Sequence, residues 1–263
     1  MSHAQTSPSS AVERAAVAFL TPRAPKERRD LMLEGGHTSA LRTPEGGISL
    51  QSAGSGPAVL LLHGWEGQAS DLGAFAHPLL EAGFRVVAMD LPAHGRSEGR
   101  QANIPQSARA LMAVGKALGP LHAVIAHSIG SAVLAEALHG GLEAGRAVMI
   151  AAPAHYGQHM RAFAAASGLQ GLETKRMVDL VSASIGADID SISLPLRAPG
   201  LRQPALFIHS ADDQVVRIEE SLESAAAWPG ARHERVEGLD HRRLLKDPAV
   251  ISMAIAFAAS KAD

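Results

Sequence analysis

The sequence predicts an α/β fold in which helices cover both faces of a mostly parallel central sheet. Strand and helix patterns alternate along the chain from residue 48 onward. This alternation is typical of βαβ units joined by right-handed crossovers. In addition, several strand candidates are continuously apolar, as strands are when both faces of a sheet are buried. The two observations together indicate a single layered domain.

The strand candidates are short apolar segments bounded by turn residues. In chain order they are 48–50, 58–62, 85–89, 121–125, 147–151, 205–209 and 232–237. The segment 58–62, Ala-Val-Leu-Leu-Leu, is typical of the buried centre of such a sheet. The last segment is more polar than the others, so we expect it near an edge of the sheet.

The helix candidates fill the intervals between these strands and end at helix-stopping residues. In chain order they are 71–82, 105–118, 131–139, 219–227 and 251–259. Gly83 directly follows the first helix, and Gly119 followed by Pro120 ends the second. Glycine just beyond a helix and proline after it are common C-terminal signals.

Two further segments lie outside this alternation. Residues 1–20 are expected to be a flexible or loosely helical N-terminal segment, and residues 21–263 the α/β domain. Within that domain, the segment at about 155–199 interrupts the series. Met177 and Val181 recur there at helical spacing. We therefore expect a helical cap over the carboxyl edge of the sheet, with an ordinary pair of surface helices as the alternative.

The composition of the 263-residue chain disfavours several functional classes. The net charge of −2 gives no reason to expect a nucleic-acid partner. The absence of cysteine excludes disulfides, thiolate metal sites and a cysteine nucleophile. An aromatic content of 3% disfavours a groove for stacked bases or sugars. No apolar segment is long enough for a membrane span and no signal peptide is evident, so we expect a cytoplasmic protein.

A candidate nucleophile lies in the segment Ala126-His127-Ser128-Ile129-Gly130. This segment joins a buried strand candidate to a helix candidate. A serine between small residues at such a junction is typical of a nucleophile elbow, a sharp turn that exposes the hydroxyl at the end of the strand. The alternative interpretation is that Ser128 only caps the following helix.

Asp213 and His241 each follow a later strand candidate, so they are expected at the same sheet edge as Ser128. A serine hydroxyl is a poor nucleophile until a neighbouring base removes its proton, and an imidazole can do this. Asp213 would hold the His241 ring in the required tautomer. Asp212 is an alternative for that acid. Asp240, adjacent to His241 in sequence, is poorly placed to orient the ring.

Attack on a carbonyl creates an oxyanion, which fixed hydrogen-bond donors must stabilise. The candidate donors are the backbone N–H groups of Trp65 and Ile129, and Gly64 would let the chain approach the substrate closely. Trp65 is also expected to line the substrate pocket, together with His63 and His127. A metal bound by these histidines is disfavoured because cysteine is absent and the nearby carboxylates have other roles. We expect no metal and no cofactor.

Together these motifs resemble those of the α/β-hydrolase fold superfamily, in family order over roughly residues 45–260. The matching segments are His63-Gly64-Trp65, Asp90-Leu91-Pro92-Ala93-His94-Gly95-Arg96-Ser97, Ala126-His127-Ser128-Ile129-Gly130, Asp213-Gln214-Val215-Val216 and Gly238-Leu239-Asp240-His241. The family usually has glycine where Ala93 and Ala126 stand, but neither position supplies a reacting group. The resemblance implies the α/β-hydrolase fold and cleavage of an acyl bond.

The predicted function is that of an esterase-like serine hydrolase acting on a small-molecule acyl substrate. It would cleave an ester, thioester or amide through an acyl-Ser128 intermediate. One alternative is cofactor-free perhydrolysis or carbon–carbon bond hydrolysis, which relatives perform on the same triad. Another is a non-catalytic protein of the same fold that binds a small molecule. Dehalogenases and epoxide hydrolases of the superfamily use an aspartate nucleophile, so Ser128 disfavours them.

Overall fold

A computed structural model describes residues 10–31, 33 and 35–260. Eight strands of this range form one sheet in the spatial order β1-β2-β4-β3-β5-β6-β7-β8. They are β1 (His37–Thr43), β2 (Gly46–Ala53), β3 (Ala58–Leu62), β4 (Arg85–Met89), β5 (Ala123–His127), β6 (Ala147–Ile150), β7 (Ala205–Ser210) and β8 (Arg232–Val236). Strands β3 to β8 are parallel, whereas β2 pairs antiparallel with both β1 and β4. The predicted α/β class with a mostly parallel sheet is confirmed.

The α-helices of the described residues precede, separate and follow the strands, and three of them lie within the segment 155–199. They are α1 (Ala11–Leu20), α2 (Gly73–Glu81), α3 (Ile104–Leu118), α4 (Ile129–His139), α5 (Tyr156–Ala166), α6 (Leu172–Ile185), α7 (Leu194–Arg197), α8 (Ile218–Ala227) and α9 (Pro248–Ala259). Local chemistry sets their ends: the Asn103 side chain caps α3 by accepting from the N–H of Gln106 at 2.8 Å. None of these helices combines the length and apolar character needed to cross a membrane.

Successive side chains of the central strands enter two separate hydrophobic cores. In β3, Leu60 and Leu62 belong to the core covered by α3 and α4, whereas Val59 and Leu61 belong to the core beneath α2 and α9. All four side chains are fully buried. Full burial of each leucine contributes about 1.5–3 kcal/mol relative to exposure. Burial on both faces explains why the strand reads as a continuous apolar run.

The two edges of the sheet differ in how well the sequence indicated them. Strand β8 lies at one edge, as its polarity predicted. Strand β1 at the other edge was not predicted, because its sequence His-Thr-Ser-Ala-Leu-Arg-Thr has no apolar alternation and its side chains are largely exposed. Its pairing with β2 holds it in place. The candidate 48–50 is the centre of β2, which is longer at both ends.

Helix α1 is the part of the N-terminal segment that the structure describes. Residues 1–9 of the predicted segment 1–20 lie outside the described residues. Helix α1 begins with a capping box: Ser10 Oγ accepts from the Glu13 N–H at 3.2 Å, and the Glu13 carboxylate accepts from the Ser10 N–H at 2.8 Å. Buried Val12 and Leu20 pack it into the core that α6 also enters. Helix α1 is therefore capped at its N-terminus and packed against the hydrophobic core.

Residues 155–199 contain α5, α6 and α7, so this interval is mainly helical. It follows β6 and thus begins at the carboxyl end of a central strand. Helix α5 packs against α6, and α6 packs against α1. These contacts join the insert and the N-terminal helix into one helical layer at the edge of the sheet where Ser128 lies.

Candidate active site

Ser128 lies at a sharp turn between the last residue of β5 and the first residue of α4. Its backbone has φ 53° and ψ −128°, a strained conformation for a residue with a side chain. A Cβ at Gly130 would lie 2.6 Å from the carbonyl oxygen of His63, so only glycine fits there. The Ser128 side chain makes no capping hydrogen bond. The turn thus has the geometry of a nucleophile elbow, and the capping alternative has no support.

A hydrogen-bonded chain links three side chains that are far apart in sequence. His241 Nε2 lies 2.9 Å from Ser128 Oγ, and His241 Nδ1 lies 2.7 Å from Asp213 Oδ2. The Asp213 side chain is fully buried, and the His241 side chain is 11% exposed. With the proton assigned to Nδ1, the ring donates to Asp213 and its Nε2 accepts from the serine hydroxyl.

Asp213 is held as a carboxylate by donors on every side. Its Oδ1 accepts from the N–H groups of Val215 at 2.8 Å and Val216 at 3.1 Å. Burial alone would raise the pKa of Asp213. However, hydrogen bonds from His209 and His241, together with the backbone donors, bring the pKa below its usual range. The residue therefore stays charged across the neutral range and can accept from His241.

The structure separates the three acids considered for this position. Asp212 is exposed, and its Oδ2 accepts from the N–H of Gly238 at 2.6 Å. The Oδ1 atom of Asp240 accepts from the next two backbone N–H groups that follow His241, at 3.0 and 2.8 Å. Both carboxylates therefore stabilise turns. Of the three acids, only Asp213 is hydrogen-bonded to His241.

Two backbone N–H groups near Ser128, those of Trp65 and Ile129, have no acceptor among the residues described. Ile129 is the first residue of α4, where N–H groups have no partner within the helix. A Cβ at Gly64 would lie 2.9 Å from Ser128 Cβ. The glycine therefore allows the Trp65 loop to approach the serine closely.

A family model described as "Alpha/beta hydrolase family" matches residues 59–254, which is most of the chain. The chain belongs to the alpha/beta hydrolase family. No curated protein matches the sequence. Solved structures similar to this hydrolase include Rv0554 from Mycobacterium tuberculosis, with a TM-score of 0.68 and 19% identity over 86% of this chain and 100% of the other.

Two esterases have similar structures. The esterase from Exiguobacterium antarcticum has a TM-score of 0.67 and 17% identity, covering 85% of this chain and 100% of its own. The esterase RhEst1 from Rhodococcus sp. ECU1013 has a TM-score of 0.63 and 20% identity, covering 86% and 99%. At these identities the likeness shows the fold, which agrees with the α/β-hydrolase resemblance of the sequence.

Two cavities of different character adjoin Ser128 in this hydrolase. The larger, about 370 Å³, is mainly apolar and includes Phe19 of α1 and Tyr156 and Phe163 of α5. The smaller, about 180 Å³, is polar and includes His241. Trp65 and Ser128 border both cavities. A third and larger concavity, about 1520 Å³, lies at the amino ends of the strands, remote from the serine, and contains no part of the hydrogen-bonded chain.

His63 lies behind the Trp65 loop and lines neither cavity beside Ser128. Its Nδ1 is 2.7 Å from the carbonyl oxygen of Gly64, and its Nε2 accepts from the N–H of Leu91 at 3.0 Å. Its side chain is fully buried, and burial holds its pKa below the usual range. Both ring nitrogens are thus used within the protein. This corrects the expectation that His63 contacts substrate: it positions the loop.

His127 borders the smaller cavity but also has a positioning role. Burial lowers its pKa to about 3, so the ring is neutral. Its Nε2 lies 2.9 Å from the carbonyl oxygen of His241, to which it donates. The backbone of His241 is thereby fixed from the side of the elbow. Among the described residues, no group of three or more His, Asp or Glu side chains is arranged to hold a metal ion.

Sequence reasoning missed His209. This residue lies in β7 with no exposed surface. Its Nε2 is 3.0 Å from the carbonyl oxygen of Val216, to which it donates, and 3.3 Å from Asp213 Oδ2. Its Nδ1 is 2.7 Å from Ser221 Oγ, which also lies 2.8 Å from His233 Nε2. The signal in the sequence was a histidine at the end of an otherwise apolar buried strand, four residues before the acid.

Proposed function

We propose that this protein is a serine hydrolase that cleaves an ester, thioester or amide through an acyl-Ser128 intermediate. The observation that supports it most is the unbroken hydrogen-bonded chain from Ser128 Oγ through His241 to Asp213, with links of 2.9 and 2.7 Å. A serine, a base and an orienting acid in this geometry are the elements that acyl transfer requires.

In the first half of the reaction, Ser128 Oγ attacks the carbonyl carbon of the substrate while His241 Nε2 takes the hydroxyl proton. The bond from the carbonyl carbon to the leaving group then breaks, and His241 returns the proton to that group as it departs. In the second half, a water molecule loses a proton to His241 and attacks the acyl-serine. The acid product leaves and the proton returns to Ser128 Oγ. Asp213 stabilises the imidazolium in both halves.

The free N–H groups of Trp65 and Ile129 are the proposed oxyanion donors. They are fixed by the loop and by the start of α4, so they need no reorganisation as negative charge develops. In other enzymes, removing one such donor lowers kcat by about 10²–10³-fold. We assign these N–H groups the stabilisation of both tetrahedral intermediates.

The larger cavity is the proposed acyl pocket. Its wall is mainly apolar, and α5 of the insert closes it together with Phe19 of α1. The Phe19 ring lies 5.3 Å from that of Tyr156 and 5.4 Å from that of Phe163, centroid to centroid. We therefore assign the insert at 155–199 the role of a cap over the acyl chain, and we include α1 in that cap.

A fluorophosphonate probe tests the nucleophile directly, because it reacts only with an activated serine. We expect the wild-type protein to be labelled, and Ser128→Ala to be unlabelled. Ser131→Ala is the matched control: this buried hydroxyl in α4 donates to the Ala126 carbonyl at 3.2 Å and should leave labelling intact. An unlabelled wild-type protein, folded by circular dichroism, would contradict the proposal.

The same preparation separates hydrolysis from simple binding. p-Nitrophenyl esters of rising acyl length, with thioesters and amides alongside, would give the bond preference and the length that the apolar cavity accepts. Turnover abolished by Ser128→Ala supports a hydrolase. Saturable binding of these compounds without turnover would instead favour a non-catalytic binding protein of the same fold.

A further inference from the structure

The smaller cavity beside Ser128 has an unusual concentration of positive charge. Arg29, Arg242 and Lys246 line it, and they come from three separate segments of the chain. None of the three side chains forms an ion pair with a carboxylate within the part of the chain that the structure describes. The acid in the cavity wall is Asp71. The cavity therefore has an excess of positive charge.

Two arginines just outside the cavity are paired with the carboxylates nearest to them. Arg23 forms a two-point ion pair with Glu66, at 2.8 and 2.7 Å. Arg96 does the same with Asp30, at 2.9 Å for each contact. Glu66, whose pKa is lowered by its hydrogen bonds with Arg23 and to a smaller extent by the charge of Arg242, already has both oxygens bonded to Arg23. The carboxylates of Glu66 and Asp30 are thus paired with cations that lie outside the cavity.

The backbones that present the cavity cations are anchored. The N–H of Arg29 donates to the Gln68 side chain at 3.2 Å, and that side chain donates back to the Glu27 carbonyl at 3.1 Å. The N–H of Arg242 donates to Asp240 Oδ1 at 3.0 Å. Arg29 is thereby tied to the loop after Gly67, and Arg242 directly follows His241 in the chain. The backbone of each residue is therefore fixed close to the reacting groups, and the exposed side chain extends from that fixed point.

The position of His241 decides which part of a substrate would enter this cavity. His241 must give a proton to the leaving group, so the leaving group has to depart on the side of its ring. His241 lines the small cationic cavity and does not line the larger apolar one. The acyl chain therefore lies on the apolar side, and the leaving group on the cationic side.

We propose that the small cavity is a leaving-group subsite for an anion, so that the preferred substrate is an acyl ester or thioester whose leaving group bears a sulfonate, carboxylate or phosphate close to the reacting oxygen or sulfur. This inference rests on the proposed hydrolase function. The leaving group departs with the proton from His241 and keeps its anionic substituent near the three cations. Such complementarity raises encounter rates and selects the charged partner.

Two matched esters test the subsite. One is the butyrate ester of 4-hydroxybenzenesulfonate, which is anionic, and the other is that of 4-hydroxybenzenesulfonamide, which is neutral and similar in shape. Each kcat/KM value is divided by the rate of hydroxide hydrolysis of the same ester, which removes the difference in leaving-group reactivity. We expect the anionic ester to be preferred by about 10-fold or more at low salt. A carboxylate analogue should share this preference.

Two further measurements make the result specific to these side chains. Arg242→Gln should reduce the anionic-to-neutral ratio by roughly 3- to 10-fold, whereas Arg243→Gln, the next residue, lines no part of the cavity and should leave the ratio unchanged. In the wild-type protein, raising the ionic strength from about 0.05 M to about 0.5 M should lower the ratio, because salt screens exposed charges. This salt test needs no variant.

The outcomes distinguish the subsite from the hydrolase proposal. If the probe labels Ser128 and the neutral ester is hydrolysed at an equal or higher normalised rate, the subsite is overturned and the hydrolase stands. An anionic preference that is insensitive to salt and to Arg242→Gln also overturns it. Failure of both esters together with failure of labelling would overturn both proposals.

Discussion

The two halves of the candidate active site are held in place by different means. Ser128 is positioned by backbone: a turn at φ 53°, with glycine at position 130 because nothing larger fits. The acid and base are positioned by side-chain hydrogen bonds instead. His209 supports Asp213 from β7, and His127 supports the carbonyl of His241 from β5. The half that contains Ser128 is thus held by steric constraints, and the half that contains Asp213 and His241 is held by a polar network.

The difference predicts how each half should respond to change. A steric clash between backbone atoms cannot be relieved by a rotamer change, so a single added methyl should move the nucleophile. Side chains in a polar network can change rotamer when one member is lost, so no backbone clash results. Its central members are an exception, because they set the protonation pattern itself. The predictions below probe this contrast.

The largest effect is expected from Asp213→Asn. The amide oxygen of Asn can accept from the N–H groups of Val215 and Val216, as Asp213 Oδ1 does. Its NH₂ group would then face His241 Nδ1. The ring would switch to the tautomer with a proton on Nε2, which cannot take the proton of Ser128. We expect kcat to fall on the order of 10³–10⁴-fold with little change in KM. Steady-state kinetics on one good ester measures this.

Asp212→Asn is the control for that experiment. Its side chain is exposed and accepts only from the N–H of Gly238, a bond that Asn can keep. We expect its kcat to remain within about 3-fold of the wild-type value, as is usual for a surface substitution away from the reacting groups. A loss in Asp212→Asn equal to that in Asp213→Asn would show that the acid has been assigned wrongly.

Gly130→Ala tests the steric half. Its Cβ would meet the carbonyl oxygens of His63 at 2.6 Å and Leu62 at 2.8 Å, so the elbow or β3 must shift. Overpacking of this kind costs about 1–3 kcal/mol, which corresponds to a Tm lower by roughly 2–10 °C. A small displacement of the nucleophile should also lower kcat by about 10- to 100-fold.

The matched glycine is Gly200, which lies far from the elbow in sequence. A Cβ there would meet no atom within 4 Å, and its φ is not in the left-handed region. Gly200→Ala should therefore keep both Tm and kcat near the wild-type values. If Gly130→Ala were equally harmless, the elbow would be more plastic than its backbone contacts imply, and the contrast between the halves would fail.

The same contrast explains what the sequence revealed about the site. A steric requirement restricts residue size at fixed spacing, so Gly130 and Gly64 left a readable pattern around Ser128. A hydrogen-bonding requirement can be met by any polar side chain that lies close enough to its partner, and that distance is set by the tertiary structure. His209 therefore went unnoticed, and His63 was expected to contact substrate when it in fact supports a loop. The sequence favoured Asp213 over Asp212, but only the loop geometry shows that Asp213 is the one bonded to His241.

For the fold, periodicity predicted the buried elements and failed on exposed ones. The parallel strands β3 to β7 bury both faces, and their continuous apolar sequences allowed them to be predicted as strands. Strand β1 is held by pairing with β2 rather than by burial, so its polar sequence gave no sign of it. Helix α1 has a clear capping box in sequence at Ser10 and Glu13, but its docking against α6 depends on contacts over more than 150 residues.

The smallest expected effect is a pH dependence of stability that originates in the polar half. The pKa of Asp213 lies below its unfolded value, which is about 3.9 for an aspartate. Its charge therefore stabilises the fold fully above about pH 4, and this contribution is lost as the pH falls through the folded-state pKa. The Asp213→Asn variant lacks this titrating carboxyl group. Its deficit in the free energy of unfolding, on the order of 1 kcal/mol, should be constant above about pH 5 and shrink below about pH 4.

Urea denaturation of both proteins between about pH 3 and pH 7 measures this deficit. Ser128→Ala provides the reference because it removes the hydroxyl partner of His241 without removing a carboxylate, so its offset from the wild-type protein should not change below pH 4. A deficit in Asp213→Asn that widens on acidification would mean that the folded state holds the carboxyl in its protonated form. That result would show that the hydrogen-bond network does not keep Asp213 charged. The proposed difference between Ser128, held sterically, and the Asp213–His241 pair, held electrostatically, would then fail.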